Sequence, residues 1–264
     1  MDQTSSQQIR EFKVSAWKYF DKVYFVYIFL AVCIGALVTF TVPPLVFHMS
    51  GLVLFVSGIF YVVAYSKAKA AFMSEFASLI GFSYSPRIDI SSVRGKLFSV
   101  GYSQKITNVL SGNYKNIPIR IFMYETTVGS GKNSHTYEFT ICEATYDSDL
   151  PDIKLHAKSF LQNIDWLEFS LDDRSVVLEG DFNKYFSLRV PQGTEVEAYQ
   201  IFTPDIMEIL IEKARGLNFE FCDNHVYTYV PKIISNSKDM LSLLNLVEYL
   251  DTVLGKNVSG MKTG

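Results

Sequence analysis

Residues 23–66 read VYFVYIFLAVCIGALVTFTVPPLVFHMSGLVLFVSGIFYVVAYS. These 44 residues contain no Asp, Glu, Lys or Arg, and His48 is their only imidazole. As a single helix the stretch would be about 66 Å long at ~1.5 Å per residue. That is twice the ~30 Å hydrocarbon core of a bilayer, too long to cross once and about right to cross twice. Pro43-Pro44 supplies the break, because each proline lacks an amide hydrogen and clashes with the preceding turn. The sequence therefore predicts a transmembrane helical hairpin over 23–66, with spans near 23–42 and 45–65 and a very short tip.

The flanks orient the hairpin. Arg10, Lys13, Lys18 and Lys22 precede the first span, Lys67 and Lys69 follow the second, and the tip has no Lys or Arg. Basic residues near span ends stay in the cytoplasm, so the expected topology is multi-pass with both termini cytoplasmic and the tip outside. Trp17, Tyr19, Tyr24, Tyr27, Tyr61 and Tyr65 lie where interfacial rings are favoured. A cleaved signal peptide would need a shorter apolar run and a small-residue cleavage site. Leu30-Ala31-Val32-Cys33 departs from a lipoprotein box at bulky Val32, and the chain stays apolar beyond it. The three cysteines, Cys33, Cys142 and Cys222, are too few and too odd in number for a disulfide framework. Within the first span Ala31, Gly35 and Thr39 recur every four residues, a spacing that lets helices approach closely. They pack the hairpin on itself or join two protomers into a homo-oligomer. With Pro43 and Pro44 they form the membrane-embedded set. No charge lies inside the spans to mark an ion or substrate path.

Outward from the hairpin, residues 1–22 read as a cytoplasmic amphipathic lead-in on the membrane surface or, equally, as a helical continuation of the first span, with Ile9, Phe12, Ala16 and Phe20 at helical spacing. Residues 67–81 read as a helical extension stopped by Gly81, and 82–256 as one soluble α+β domain. Strands are predicted at 117–128 and 136–145 around the loop Gly129-Ser130-Gly131-Lys132-Asn133, and at 153–160, 175–178, 185–190 and 195–202. A further hairpin is predicted around Asp223-Asn224. Thr203, Pro204 and Asp205 start a helix that ends near Gly216. A last helix begins near Ser237, carries Met240, Leu243, Leu244, Val247, Leu250 and Leu254 on its apolar face, and closes at Gly255, with 257–264 a disordered tail. The fold class is α+β: a mostly antiparallel sheet of about seven strands with two late helices, an outline compatible with a PH-like barrel.

No reactive constellation stands out. The Gly129–Lys132 loop lacks the G-x-x-x-x-G-K-[ST] pattern, since position 126 is Thr and Asn133 follows the lysine. His135, His156 and His225 show no metal-ligand spacing. Cys142 with His135 is the one Cys–His candidate, of a kind that meets in space rather than in sequence. Asp172-Asp173 beside Arg174 reads as a turn, and Glu195 and Glu197 share one face of an expected strand. No cofactor is implied. Residues 1–80 hold six Lys/Arg and four Asp/Glu, so of the chain's 24 and 27 the remainder holds 18 and 23, a net of −5. That leaves no basic face for nucleic acid.

Four segments, Ile117-Pro118-Ile119-Arg120-Ile121-Phe122, Thr127-Val128-Gly129-Ser130-Gly131-Lys132, Leu178-Glu179-Gly180-Asp181-Phe182 and Phe202-Thr203-Pro204-Asp205-Ile206-Met207, together resemble uncharacterised bacterial membrane proteins with a two-helix N-terminal anchor and a cytoplasmic domain of unknown function. The resemblance spans roughly residues 20–250. It implies a bacterial inner membrane and no activity, and it carries no functional residues. Three readings follow: a non-catalytic binding or scaffolding module for a protein partner, tethered to the lipid bilayer; a lipid- or ligand-sensing module at the membrane surface; and an enzyme whose site is assembled in space.

Overall fold

The structure is a computed structural model that describes residues 26–27, 29–30, 33–34, 46–147, 149–162, 164 and 173–261. It divides into two units, residues 1–79 with 235–237, and residues 80–234 with 238–264. Ala31, Gly35, Thr39, Pro43 and Pro44 lie outside the described residues, as do the lead-in and most of the first expected span.

In the first unit, helix α1 (Val46–Ile80) runs 35 residues without interruption, about 52 Å at ~1.5 Å per residue. Its two halves differ. Phe55, Ile59, Val62 and Val63 are exposed, whereas Ala64, Ala68, Phe72, Met73, Phe76 and Ala77 form a buried stripe at helical spacing. Among the described residues no helix is long and apolar enough to cross a membrane. Much of the apolar half of α1 falls at positions 46–54, 56–57 and 60, whose side chains lie outside that description. Gly81, at φ +75°, ends the helix in the left-handed conformation that glycine adopts without a Cβ penalty.

The second unit is built on one sheet. Its strands are β1 (Ser83–Ile88), β2 (Tyr102–Tyr114), β3 (Ile117–Val128), β4 (His135–Thr145), β5 (Ile153–Ala157), β6 (Arg174–Val176), β7 (Phe186–Val190), β8 (Asn218–Cys222) and β9 (His225–Val230). They lie in the order β1-β2-β3-β4-β9-β8-β5-β7-β6, every pair antiparallel. The last hairpin is thus inserted between β4 and β5, whereas a PH-like barrel keeps consecutive strands side by side. Nine described strands replace the expected seven because β1 and β2 escape a period-two reading. β2 carries register shifts between Tyr102 and Lys105 and between Thr107 and Leu110, with Ser103 and Asn108 at φ +54°, so its alternation is broken twice.

The helices of this unit are α2 (Lys158–Leu161), α3 (Phe182–Tyr185), α4 (Glu195–Ile201), α5 (Pro204–Lys213) and α6 (Ser237–Met261). The expected strand at 195–202 is instead α4. Thr194 stands at its N-cap, Glu195 and Glu197 occupy its first turn, and Ala198 and Ile201 are its buried pair one turn apart. α5 begins at Pro204 behind Thr203, as predicted. α6 continues past the predicted stop at Gly255 and through residues 257–261 of the expected tail to Met261. Each glycine, Gly255 and Gly260, costs the helix only about 1 kcal/mol, and no proline follows to end it. The core of the unit gathers Phe98, Phe122, Phe139, Phe219 and Phe221 from the strands and the β1–β2 connection, with Ile206 and Leu250 from the helices.

Candidate functional site

The sheet register brings one residue from each strand into a single row: Ser83, Ser111, Arg120, Glu143, Tyr227, Glu220, Lys154, Arg189 and Ser175. Residues directly opposite across a ladder share a face, so this row is a polar stripe across the whole sheet. Glu143, Tyr227, Glu220 and Lys154 in its middle are buried. One residue along each strand, on the other face, lies an apolar row that includes Leu110, Ile121, Cys142, Phe219, Leu155 and Leu188.

Buried charge is costly unless it is paired and hydrogen-bonded, and most of this row is. Arg120 grips Glu143 through Nε and Nη2 at 2.5 and 2.7 Å. His225 Nδ1 lies 3.0 Å from the same carboxylate, and the Tyr227 hydroxyl donates to it at 3.4 Å. Lys154 sits 2.8 Å from both Asp152 and Asp173. Burial acts to lower its ammonium, but the two carboxylates outweigh that and hold it above its usual range.

The row also holds down a backbone strap, residues 89–101 between β1 and β2. Arg120 Nη2 donates to the Ser92 carbonyl at 2.9 Å. The Arg94 N–H donates to the Tyr227 hydroxyl at 3.1 Å. Glu220 accepts the N–H groups of Lys96 and of Leu97, the latter at 3.1 Å. Burial pushes the Glu220 carboxyl up, and these two donors oppose that. Gly95 lets the strap pass: its φ is +114°, and a Cβ there would stand 3.1 Å from the Glu220 carboxylate. Phe98 packs beneath the strap against Phe122, Tyr124 and Tyr227. The polar row is thus occupied in holding the chain's own backbone.

Beside it, His156 is buried. Its Nε2 shares a 2.8 Å hydrogen bond with the Tyr229 hydroxyl, and its Nδ1 has no partner. Burial, with help from Arg189 and Lys154, pulls its pKa down to about 3. His156 stacks on Phe160 with ring centroids 5.9 Å apart, and Phe160 lines a cleft of about 490 Å³ between α5, the end of β9, α2 and the start of α6.

The residues singled out in the sequence fall far apart. Cys142 is fully buried in the apolar row, where burial pushes its thiol up. His135 lies at the other end of β4, about 23 Å away at ~3.3 Å per residue, so the Cys–His pair does not form. The Gly129–Lys132 loop is a hairpin tip joining β3 to β4, clasped by Thr127 and Thr136 hydroxyls 3.0 Å apart. Asp173 belongs to the Lys154 pair. Glu195 and Glu197 sit on α4, where Glu195 accepts the Gly193 N–H at 2.9 Å. Among the described residues no group of three or more His, Cys, Asp or Glu could hold a metal ion. The polar row was missed because its members meet only through register. Single charged residues such as Glu143 inside apolar strands were the available signal.

No family model matches the sequence, and no curated protein does. A solved structure similar to this one is the crystal structure of the mycobacterial trehalose monomycolate transport factor A, TtfA. It is 12% identical, the match covers 70% of this chain and 94% of that one, and the TM-score is 0.50. At that identity the likeness is one of fold.

Proposed function

We propose that this chain is a membrane-tethered, non-catalytic module whose sheet domain, on the cytoplasmic side of a bacterial inner membrane, binds a protein partner in an assembly. The observation that carries the tether is the apolar half of α1. Phe55, Ile59, Val62 and Val63 are exposed on one continuous helix, and contiguous apolar surface of that kind marks a protein or membrane contact. A charge-free sequence of 44 residues around it favours the membrane. The non-catalytic part of the reading rests on the polar row, whose carboxylates and tyrosine hold the strap. The fold likeness to a protein described as a transport factor agrees with an accessory role in a transport assembly. The resemblance to two-helix-anchored bacterial proteins supports the bacterial inner membrane alone.

The test is in-cell crosslinking followed by affinity capture of the full chain from membranes in mild detergent. A specific partner, recovered in repeated preparations and lost when the exposed residues of the sheet domain are changed, is expected. Recovery of the bait alone would sink the binding role. The cleft beside α5 favours a second reading, a lipid- or ligand-sensing module.

A further inference from the structure

The cleft has the chemistry of a binding site that the polar row does not use. Its walls are apolar: Phe160, Ala214, Val230, Ile234 and Leu243 are buried yet line it. Lys213 and Lys232 stand exposed at its rim with Asp239. Lys232 lies 3.7 Å from Asp239, a loose pair between exposed groups of the kind that contributes little. Lys213 rests over the Tyr249 ring at 4.7 Å. The rim therefore keeps one net positive charge above an apolar hollow. Its volume falls within the ~300–1,000 Å³ of small-molecule sites.

We propose that this cleft binds a single-chain anionic amphiphile, with a carboxylate between Lys213 and Lys232 and an alkyl chain against Phe160, Val230 and Leu243. Charge complementarity selects the head group. The uncharged walls select an apolar body over a sugar or nucleotide, which would leave its polar groups unpaired. This site stands whether or not the chain spans a membrane, because it lies wholly within the sheet unit.

Gly216 makes the test clean. It lines the cleft, and a Cβ added there meets no atom within 4 Å, so Gly216→Phe adds a bulky ring at the cleft's edge with no clash at its Cβ. Full-length protein in nanodiscs of phosphatidylcholine is photolabelled with a diazirine analogue of hexadecanoate, and the labelled peptides are mapped. Labels are expected on peptides containing Phe160, residues 213–217 and Leu243, and to be lost in Gly216→Phe. The Lys213→Gln, Lys232→Gln double variant should weaken labelling about tenfold. Hexadecanoate should compete, and hexadecanol should compete at least tenfold less well. Labelling unchanged by Gly216→Phe overturns the site, and equal competition by the alcohol overturns the anionic head group. An unlabelled wild type whose mass by light scattering falls from dimer to monomer on Gly216→Phe overturns the ligand in favour of a second copy of the chain.

Discussion

Helix α1 and the sheet break the usual distribution of residues in opposite senses. The first leaves Phe55, Ile59, Val62 and Val63 outside; the second puts Glu143, Glu220 and Lys154 inside. Exposed oil and buried charge each need a partner that the local chain does not provide. For the charges the partners are in the fold: Arg120, Asp152, Asp173 and the backbone of residues 92–97. For α1 the proposed partner is lipid. A buried ionisable residue is thus no sign of catalysis until its hydrogen bonds have been followed to their ends.

The comparison can be broken most forcefully at Arg120. Arg120→Ala leaves the Glu143 carboxylate with only His225 and the Tyr227 hydroxyl and frees the Ser92 carbonyl, and should cost about 3 kcal/mol, read as the thermal midpoint of the full chain in detergent. Glu220→Ala leaves two strap N–H groups without their acceptor and should cost about 1–3 kcal/mol for each donor so stranded and kept from water. It should also speed hydrogen exchange in residues 94–99 while leaving β3 and β4 protected.

The third prediction is a pH dependence. The His156 folded-state pKa is down at about 3 against an ordinary 6.5, so between these values the unfolded chain holds the extra proton. Stability attached to His156 is complete above about 6.5 and falls with acidification, by about 1.4 kcal/mol per pH unit, until pH ~3. Glu220, raised, slopes the other way, losing stability as pH rises. Replacing His156 by Gln should flatten the acid limb, as measured by urea midpoints from pH 7 to 4. The smallest effect is at the exposed Arg94–Asp223 pair, 3.1 Å apart, where Arg94→Ala should change stability by less than about 1 kcal/mol.

The sequence made some of this legible. β3 and β4 were readable because β-branched and aromatic residues fill them, and α5 because Thr203-Pro204-Asp205 is a helix start at the level of local chemistry. β2 was hidden by its two bulges. α4 was read as a strand because Val196, Ala198, Tyr199 and Ile201 fit either period over so few residues, and only Ala198 and Ile201 turned out to be buried. The polar row was signalled only by single charged residues such as Glu143 inside apolar strands, and its alignment could not be read. Arg120 and Lys154 are separated by three intervening strands, β4, β9 and β8, and the sheet order that aligns them depends on a hairpin at 218–230 being inserted between strands that precede it.

The tether is tested most directly by washing membranes from cells expressing the full chain with alkaline carbonate and floating them on a density gradient. The account predicts that the protein stays with the lipid through the wash, and that Val62→Lys combined with Ile59→Asp reduces the retained fraction. Release of the intact wild-type chain into the supernatant would contradict it.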